Sequence, residues 1–219
     1  MKRRIVSLTL ARGGSKGIAR KNLVLVNGKP LISYVLTTAK QAGMDEVWVS
    51  TEDEEIAEAA VNYGAKISRR PPEMARDHSA CEEAIMHFAE RVKFDWLVFI
   101  QNTSPLVTVR DIKRGLEMME TGEYESVFTA TKEHWLPRWT IDVHPENWDP
   151  NNRPPRQLMP EKYVENGAFY ITTRESLMKS KCRYSGRIGV VEIPLIRSFQ
   201  IDTAEDLELI ELLIKSGVK

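Results

Sequence analysis

The clearest chemical signal in the sequence is a short loop that combines glycines with basic side chains. Residues 10–22 read LARGGSKGIARKN and follow an apolar run. Glycines let a backbone turn tightly and approach a ligand, and successive exposed amides can form an anion-binding nest. The loop concentrates positive charge at Arg12, Lys16, Arg20 and Lys21. These features predict a polyphosphate site, with a solvated turn as the alternative.

The loop matches neither of the two common phosphate-binding patterns. It lacks the GxxxxGK[ST] order of a Walker A loop and the GxGxxG spacing of dinucleotide-binding folds. A dinucleotide-dependent oxidoreductase is therefore disfavoured. The loop alone leaves open which nucleotide would bind.

Later segments, taken with this loop, resemble the CMP-sialic acid synthetase family of cytidylyltransferases in order and spacing. The motifs that carry the resemblance, after the loop itself, are NGKPLI at 27–32, RPPEMARD at 70–77, QNTSPL at 101–106, RQLMP at 156–160, NGAFY at 166–170 and IDTAEDL at 201–207. They span nearly the whole chain, so agreement by chance at so many separated places is improbable.

The resemblance implies a reaction in which the anomeric hydroxyl of a 2-keto sugar acid attacks the α-phosphorus of CTP. A CMP-sugar forms and pyrophosphate leaves. Transfer of this kind needs positioning and charge neutralisation more than covalent help. The implied catalytic residues are Arg12, Lys16, Lys21 and Gln101. The implied nucleotide-binding residues are Ala11, Arg12, Gly13, Ser15, Lys21, Asn22, Arg70 and Cys81.

A second set of residues is expected to bind the sugar acid. These residues are Gln101, Thr103, Ser104, Arg138, Arg156, Asn166, Gly167 and Tyr170. Arg156, and less strongly Arg138, are candidates for the sugar carboxylate. A capped strand-to-helix turn is the alternative for Ser104, and a core position is the alternative for Tyr170.

The expected cofactor is Mg²⁺ or Mn²⁺, held by Asp202 together with phosphate oxygens and water. Helix capping by Asp202 and Thr203 is the alternative. Many relatives carry a second aspartate two residues earlier, where this chain has Gln200. Val164 and Glu165 likewise stand where some sialic acid members carry a basic residue, which leaves the identity of the sugar open. The histidines show no HxH or HxxxH pairing, so a zinc site is not expected.

Alternating strands and helices must position these residues. Apolar runs predict strands at 5–10, 46–50, 96–101, 126–131, 168–172 and 188–193. Helical stripes follow Pro30, Asp53, Ser79, Thr108 and Thr203, and the spacing of Ser79 and Glu82 predicts a capping box. The pattern indicates an α/β fold with a mainly parallel, Rossmann-like sheet of the nucleotide-diphospho-sugar transferase type and helices on both faces.

One segment, about 132–165, interrupts this alternation. It has no helical stripe and holds Trp135, Trp139 and Trp148 among several prolines. We expect one domain over 1–219, with this insertion as a dimer arm or substrate lid and the protein as a homodimer. A surface excursion is the alternative.

The amino-acid composition limits the classes of binding partner and the cellular compartment that we expect. Lys and Arg total 31, as do Asp and Glu, so no broad attraction to nucleic acid or to an anionic membrane is expected. Two cysteines without metal-ligand spacing suggest a reducing cytoplasm. No apolar run reaches the length of a signal peptide core or a membrane span.

The sequence therefore predicts an enzyme that activates a nonulosonic, sialic-acid-like sugar acid with CTP. The open alternatives are a transferase for another nucleotide or a Kdo-type acid, and a nucleotide-binding relative without catalytic activity.

Overall fold

The computed structural model describes residues 2–134 and 136–218, so Trp135 of the insertion lies outside the described residues. In chain order the strands are β1 (Ile5–Leu10), β2 (Leu25–Val26), β3 (Lys29–Pro30), β4 (Glu46–Thr51), β5 (Lys66–Arg69), β6 (Trp96–Ile100), β7 (Ser126–Lys132), β8 (Tyr163–Thr173) and β9 (Ile188–Glu192). β2 and β3 pair with each other, and the remaining strands form a seven-stranded sheet in the order β5-β4-β1-β6-β8-β7-β9.

Parallel pairing dominates this sheet. β5, β4, β1 and β6 run parallel to one another, as do β7 and β9. β8 is antiparallel to both of its neighbours, β6 and β7. The mainly parallel sheet is therefore confirmed, with one reversed strand that the sequence pattern did not reveal.

Helices cover both faces of the sheet, as predicted. They are α1 (Leu31–Gln41), α2 (Glu54–Asn62), α3 (Cys81–Arg91), α4 (Val109–Glu120), α5 (Arg174–Ser180) and α6 (Ala204–Lys215). α1, α2 and α4 pack on the face that carries Val98 and Ile100, whereas α3 and α5 pack on the face that carries Leu97 and Phe99. Successive side chains of β6 thus alternate between the two cores.

The helices predicted after Thr108 and Thr203 are confirmed, and each of these threonines is an N-cap with a complete capping box. The predicted box at Ser79 and Glu82 is wrong, because α3 begins after Ala80 without a side-chain cap. The Ser79 hydroxyl instead donates to the Glu73 carbonyl at 2.8 Å.

The insertion between β7 and β8 is irregular. Among its described residues, regular structure is confined to a 3-10 turn at Arg156–Leu158 and a single bridge between Trp139 and Pro145. Trp139 and Trp148 meet edge to face with ring centroids 5.1 Å apart. The exposed apolar side chains of the insertion include Leu136, Ile141, Val143 and Leu158.

Across residues 2–134 and 136–218, no helix has the length and apolarity needed to cross a membrane.

A buried ion pair fixes the segment that leads to α6. Asp111, whose side chain is 3% exposed, accepts from Nη1 and Nη2 of Arg197 and from the amide and hydroxyl of Thr108. Burial opposes ionisation, but the hydrogen bonds from Arg197 and Thr108 outweigh it and lower the pKa of Asp111. The pair thereby anchors the residues just before Gln200 and Asp202.

We predict that Asp111→Ala lowers the free energy of unfolding by roughly 3–5 kcal/mol, because it leaves Arg197 buried without its partner. Urea denaturation followed by circular dichroism measures the loss. Asp206→Ala is the matched control, since it removes the equivalent capping carboxylate at Thr203 and should cost only about 1 kcal/mol. Equal losses for the two variants would show that the ion pair adds nothing.

Candidate active site

Most of the predicted catalytic and nucleotide-binding residues converge on one cleft of about 530 Å³. The cleft lies where β1, β5 and β6 end, because parallel neighbouring strands bring their carboxyl ends to the same edge of a sheet. Predicted site residues that line it are Arg12, Ser15, Lys16, Lys21, Asn22, Arg70, Cys81, Gln101, Thr103 and Asp202.

Hydrogen bonds to residues at the end of β4 and just after it hold the backbone of the basic loop. Ala11 is fully buried and its amide donates to the Ser50 carbonyl at 3.0 Å. The Gly13 amide donates to Glu52 Oε1 at 2.7 Å, so this part of the loop is tied to the chain just after β4. Neither Ala11 nor Gly13 lines the cleft. At Gly17 a Cβ would stand 2.2 Å from the Asp202 carbonyl, so only glycine permits this close approach.

Glu52 also orients one of the predicted nucleotide-binding residues. Arg70 donates from Nε and Nη2 to Glu52 Oε2 at 3.1 and 3.0 Å. The Arg70 side chain is 4% exposed and that of Glu52 is 16% exposed, so the pair is largely shielded from water. Glu52 is not among the residues that the sequence predicted for the site. Its position directly after a strand that ends at the ligand edge is the signal that could have found it.

Two buried asparagines connect the basic loop to the end of β6. Asn22 Nδ2 donates to the Arg12 carbonyl at 2.7 Å, and Asn102 Nδ2 donates to Asn22 Oδ1 at 2.5 Å. Because Asn22 uses its nitrogen on a carbonyl, its oxygen must accept, which fixes the orientation of both amides. Asn102 belongs to the QNTSPL motif, but the sequence did not predict a role for it.

The cations of the loop are already paired with carboxylates. Arg12 Nη1 and Lys16 Nζ contact the two oxygens of Asp77 at 2.9 and 2.8 Å. Lys21 Nζ lies 2.8 Å from Asp202 Oδ1. The hydrogen bond from Lys16, with the nearby charge of Arg12, lowers the pKa of Asp77. A ligand that binds these cations must compete with acidic groups of the chain itself.

Arg20 is the loop cation that does not line the cleft. Its guanidinium pairs with Asp53 at 2.6 Å and with Glu55 at 2.5 Å. Its backbone is in the left-handed region, with φ of 53°. This geometry turns Arg20 toward the start of α2 and away from the other basic groups.

The antiparallel strand β8 brings Asn166 and Gly167 beside the end of β6. The pairing register shifts between Phe128 and Ala130, where β8 bulges. Gly167 has φ of 66°, and a Cβ there would stand 2.8 Å from Gln200 Nε2 and 3.1 Å from Gln101 Nε2. Asn166 and Gly167 therefore lie next to predicted site residues without lining the cleft.

Gln200 connects strand β8 to the loop that follows β6. Its Nε2 donates to the Asn166 carbonyl at 2.6 Å, and its Oε1 accepts from the Thr103 hydroxyl at 3.3 Å. The residue thus uses its donor and its acceptor to join β8 to the loop after β6. An aspartate in its place would be one methylene shorter and would offer no donor.

Two predicted sugar-binding residues are buried. Ser104 is 2% exposed, and Tyr170 lies in the core, stacked on Phe99 at a centroid distance of 5.9 Å. The Tyr170 hydroxyl donates to Glu165. Burial, and to a smaller extent this hydrogen bond, raises the pKa of Tyr170. Arg183 covers this stack, with its guanidinium 5.1 Å from the Tyr170 ring centroid.

The two arginines proposed for the sugar carboxylate lie in the insertion and do not line the cleft of this chain. Arg138 pairs with Glu133 at 2.8 Å. Arg156 contacts the ring of His134. Their predicted roles therefore require the insertion to reach a sugar site by another arrangement than the one in this structure.

Among the described residues, no group of three His, Cys, Asp or Glu side chains could hold a metal ion. Asp202 offers one exposed carboxylate in the cleft, and it is not the helix cap, because Thr203 is the N-cap of α6. A single carboxylate combined with phosphate oxygens and water suits Mg²⁺ and does not suit zinc.

Comparison with known proteins shows the family of this chain. The family model described as cytidylyltransferase matches residues 6–216. The chain belongs to the cytidylyltransferase family. It is 30% identical over 217 residues to a pseudaminic acid cytidylyltransferase from Campylobacter jejuni, covering 94% of each chain. It is also 40% identical over 185 residues to an N-acylneuraminate cytidylyltransferase from Oncorhynchus mykiss. The predicted family resemblance is confirmed.

The shared length differs among these relatives. The match with the Oncorhynchus mykiss protein covers 80% of this chain but 43% of that relative, and the chain covers 50% of two such proteins from Danio rerio. The chain therefore spans about half the length of these curated relatives.

Solved structures confirm the fold. A CMP:2-keto-3-deoxy-manno-octonic acid synthetase complexed with CTP superposes with a TM-score of 0.74 at 20% identity, covering 98% of this chain and 99% of that chain. A 4-diphosphocytidyl-2C-methyl-D-erythritol synthase from Anaerococcus prevotii gives 0.71 at 12% identity, covering 97% and 96%. The predicted Rossmann-like nucleotide-sugar transferase fold is therefore confirmed.

We predict that Gln200→Asp lowers the free energy of unfolding by about 1–3 kcal/mol, because the Asn166 carbonyl loses its donor and faces a carboxylate. Urea denaturation without nucleotide or metal measures the change. Gln157→Asp, at an exposed glutamine of the insertion, controls for the added charge. A Gln200→Asp protein as stable as the wild type would show that the amide has no structural role.

Proposed function

We propose that this protein transfers the cytidylyl group of CTP to a nonulosonic, sialic-acid-like 2-keto sugar acid, giving a CMP-sugar and pyrophosphate. The observation that carries the proposal is the convergence of Arg12, Lys16 and Lys21 on one cleft at the ends of parallel strands. Similarity to cytidylyltransferases for N-acylneuraminate and for pseudaminic acid supports both the nucleotide and the class of acceptor.

In the proposed reaction the anomeric oxygen of the sugar acid forms a bond to the α-phosphorus. The bond from the α-phosphorus to the bridging oxygen breaks, and pyrophosphate leaves with that electron pair while the hydroxyl proton is released. Arg12, Lys16 and Lys21 hold the triphosphate and neutralise the charge that develops on the leaving group. Gln101 offers an amide at the end of β6 to orient the reacting groups.

The cytidine moiety is expected on the side of the cleft formed by Asn22, Arg70 and Cys81. Glu52 fixes the guanidinium of Arg70, and Asn102 fixes the amide of Asn22. Both groups are therefore oriented before a nucleotide arrives, which reduces the entropy lost on binding.

We also propose a divalent cation, Mg²⁺ or Mn²⁺, as cofactor, with Asp202 as its protein ligand. Such an ion, held by Asp202 together with the nucleotide, would add to the charge neutralisation that the basic side chains provide. Residue 200 is a glutamine and therefore supplies no second carboxylate. Its amide is hydrogen-bonded to Asn166 and Thr103. Metal affinity should therefore be weak until the nucleotide contributes its own oxygens.

The insertion is proposed as a dimer arm that helps to cover the sugar site. Its exposed apolar side chains and paired tryptophans are more typical of a contact surface than of a solvated loop. Contact between two copies would also give Arg138 and Arg156 a route to a sugar carboxylate, which they lack within one chain.

A test of the reaction is pyrophosphate release from each nucleoside triphosphate with Mg²⁺ and a panel of sugar acids that includes a Kdo-type acid. We expect release with CTP and a sialic-acid-like acceptor. Lys21→Ala should lower turnover by roughly 100- to 1,000-fold, because it removes a contact to developing charge. Lys29→Ala, at an exposed lysine of the β2–β3 hairpin, should leave turnover unchanged.

CTP binding without turnover on any acceptor would support the non-catalytic alternative. Turnover confined to a Kdo-type acid would reassign the substrate. Normal turnover by a folded Lys21→Ala protein would return the basic loop to a solvated turn.

For the metal, we predict that EDTA abolishes turnover and that Asp202→Asn lowers it by about 100-fold or more. Stability should be unchanged, because Thr203 and Asp206 cap α6 without the Asp202 side chain. Mn²⁺ binding in the presence of CTP, followed by electron paramagnetic resonance, should weaken in Asp202→Asn and not in Glu205→Gln, an exposed acid one turn away. Full activity in EDTA would exclude the metal assignment.

A further inference from the structure

Asp77 occupies an unusual position for an acidic residue. It lies on the cleft wall, between the 3-10 turn at Pro72–Ala75 and the start of α3, and its two carboxylate oxygens bridge Arg12 and Lys16. These are two of the cations proposed to hold the triphosphate. In the structure their charge is therefore satisfied by the chain itself.

The Asp77 pairs differ in exposure from the Arg70–Glu52 pair. The Arg70–Glu52 pair is nearly buried and also holds the Gly13 amide, so breaking it would expose several polar groups at once. The Asp77 side chain is 47% exposed and that of Lys16 is 80% exposed. Ion pairs this exposed to water contribute little stability and can be exchanged for another anion.

The charge of Asp77 is also permanent near neutral pH. The hydrogen bond from Lys16 lowers the pKa of Asp77, and the nearby charge of Arg12 acts in the same direction. Protonation therefore does not release the two cations. An incoming anion has to displace the carboxylate.

We propose that Asp77 competes with polyphosphate for Arg12 and Lys16. Its carboxylate pairs with these two cations before a nucleotide binds, is displaced by the triphosphate, and pairs with them again when pyrophosphate leaves. This inference rests on the proposed function, because it takes Arg12 and Lys16 as the cations that bind the phosphates leaving as pyrophosphate. It assigns Asp77 a role in setting affinity and product release, without contact to the reacting atoms.

The competition has a consequence that depends on the ligand. A ligand that binds Arg12 and Lys16 must break two charge-assisted contacts to Asp77 before it gains its own. CTP and pyrophosphate meet this cost, whereas CMP lacks the phosphates that would reach these cations. Removing the carboxylate should therefore strengthen binding of the first two ligands and leave CMP binding unchanged.

Calorimetric titration in EDTA, with inorganic pyrophosphate, CTP and CMP as separate ligands, tests this. In Asp77→Asn we expect pyrophosphate and CTP to bind roughly 3- to 10-fold more tightly, with CMP affinity unchanged. Inhibition of turnover by added pyrophosphate should strengthen by a similar factor. Asp77→Glu keeps the charge and should restore weaker binding. Glu73→Gln removes an exposed acid from the same segment and should not change the affinity for pyrophosphate, CTP or CMP.

Thermal unfolding of each variant without ligand confirms that the fold is retained. If Asp77→Asn binds pyrophosphate as the wild type does, or more weakly, Asp77 organises the cations or binds the ligand and the competitor role is excluded. Tighter binding of CMP by the same factor would also exclude it, because the effect would then not depend on the displaced phosphates. If the wild-type protein binds neither CTP nor pyrophosphate, either in EDTA or with Mg²⁺, the proposed function fails instead.

Discussion

Mutual repulsion among the basic side chains of the cleft is the constraint on which the rest of the site depends. Cations gathered in one cleft destabilise the protein unless each has a counter-charge. The chain resolves this in two ways. Glu52 forms a shielded, lasting pair with Arg70, whereas Asp77 and Asp202 form exposed pairs with the loop. The first arrangement fixes the Arg70 guanidinium, and the second pairs Arg12, Lys16 and Lys21 with carboxylates that water can reach.

The sheet makes this arrangement possible because its central strands are parallel. The loop after β1, Glu52 after β4, Arg70 after β5 and Gln101 after β6 all emerge at one edge. Hydrogen bonds then join these neighbours directly, from Gly13 to Glu52 and from Asn102 to Asn22. The loop is consequently anchored on two sides and presents its basic side chains from a fixed backbone.

The reversed strand β8 packs beside the end of β6 without lining the cleft. Its bulge places Asn166 and Gly167 against Gln101, and Gln200 ties that bulge to Thr103. The Gln200 amide donates to Asn166 and accepts from Thr103, and a carboxylate could not make the first of these contacts. Asp202 is therefore the proposed metal ligand next to this part of the cleft.

The sequence by itself determined the fold class, the basic loop, the family and most of the cleft, because these are recorded in local patterns such as strand runs, capping threonines and contiguous motifs. It did not determine the roles of Glu52, Asn102 and Asp77, the antiparallel direction of β8, or the burial of Ser104 and Tyr170. Gly13 and Glu52 are 39 positions apart, and Asn22 and Asn102 are 80 apart. Only the tertiary structure decided which of these distant groups meet, because a hydrogen bond or an ion pair depends on distance in space, and strand order brings such residues together.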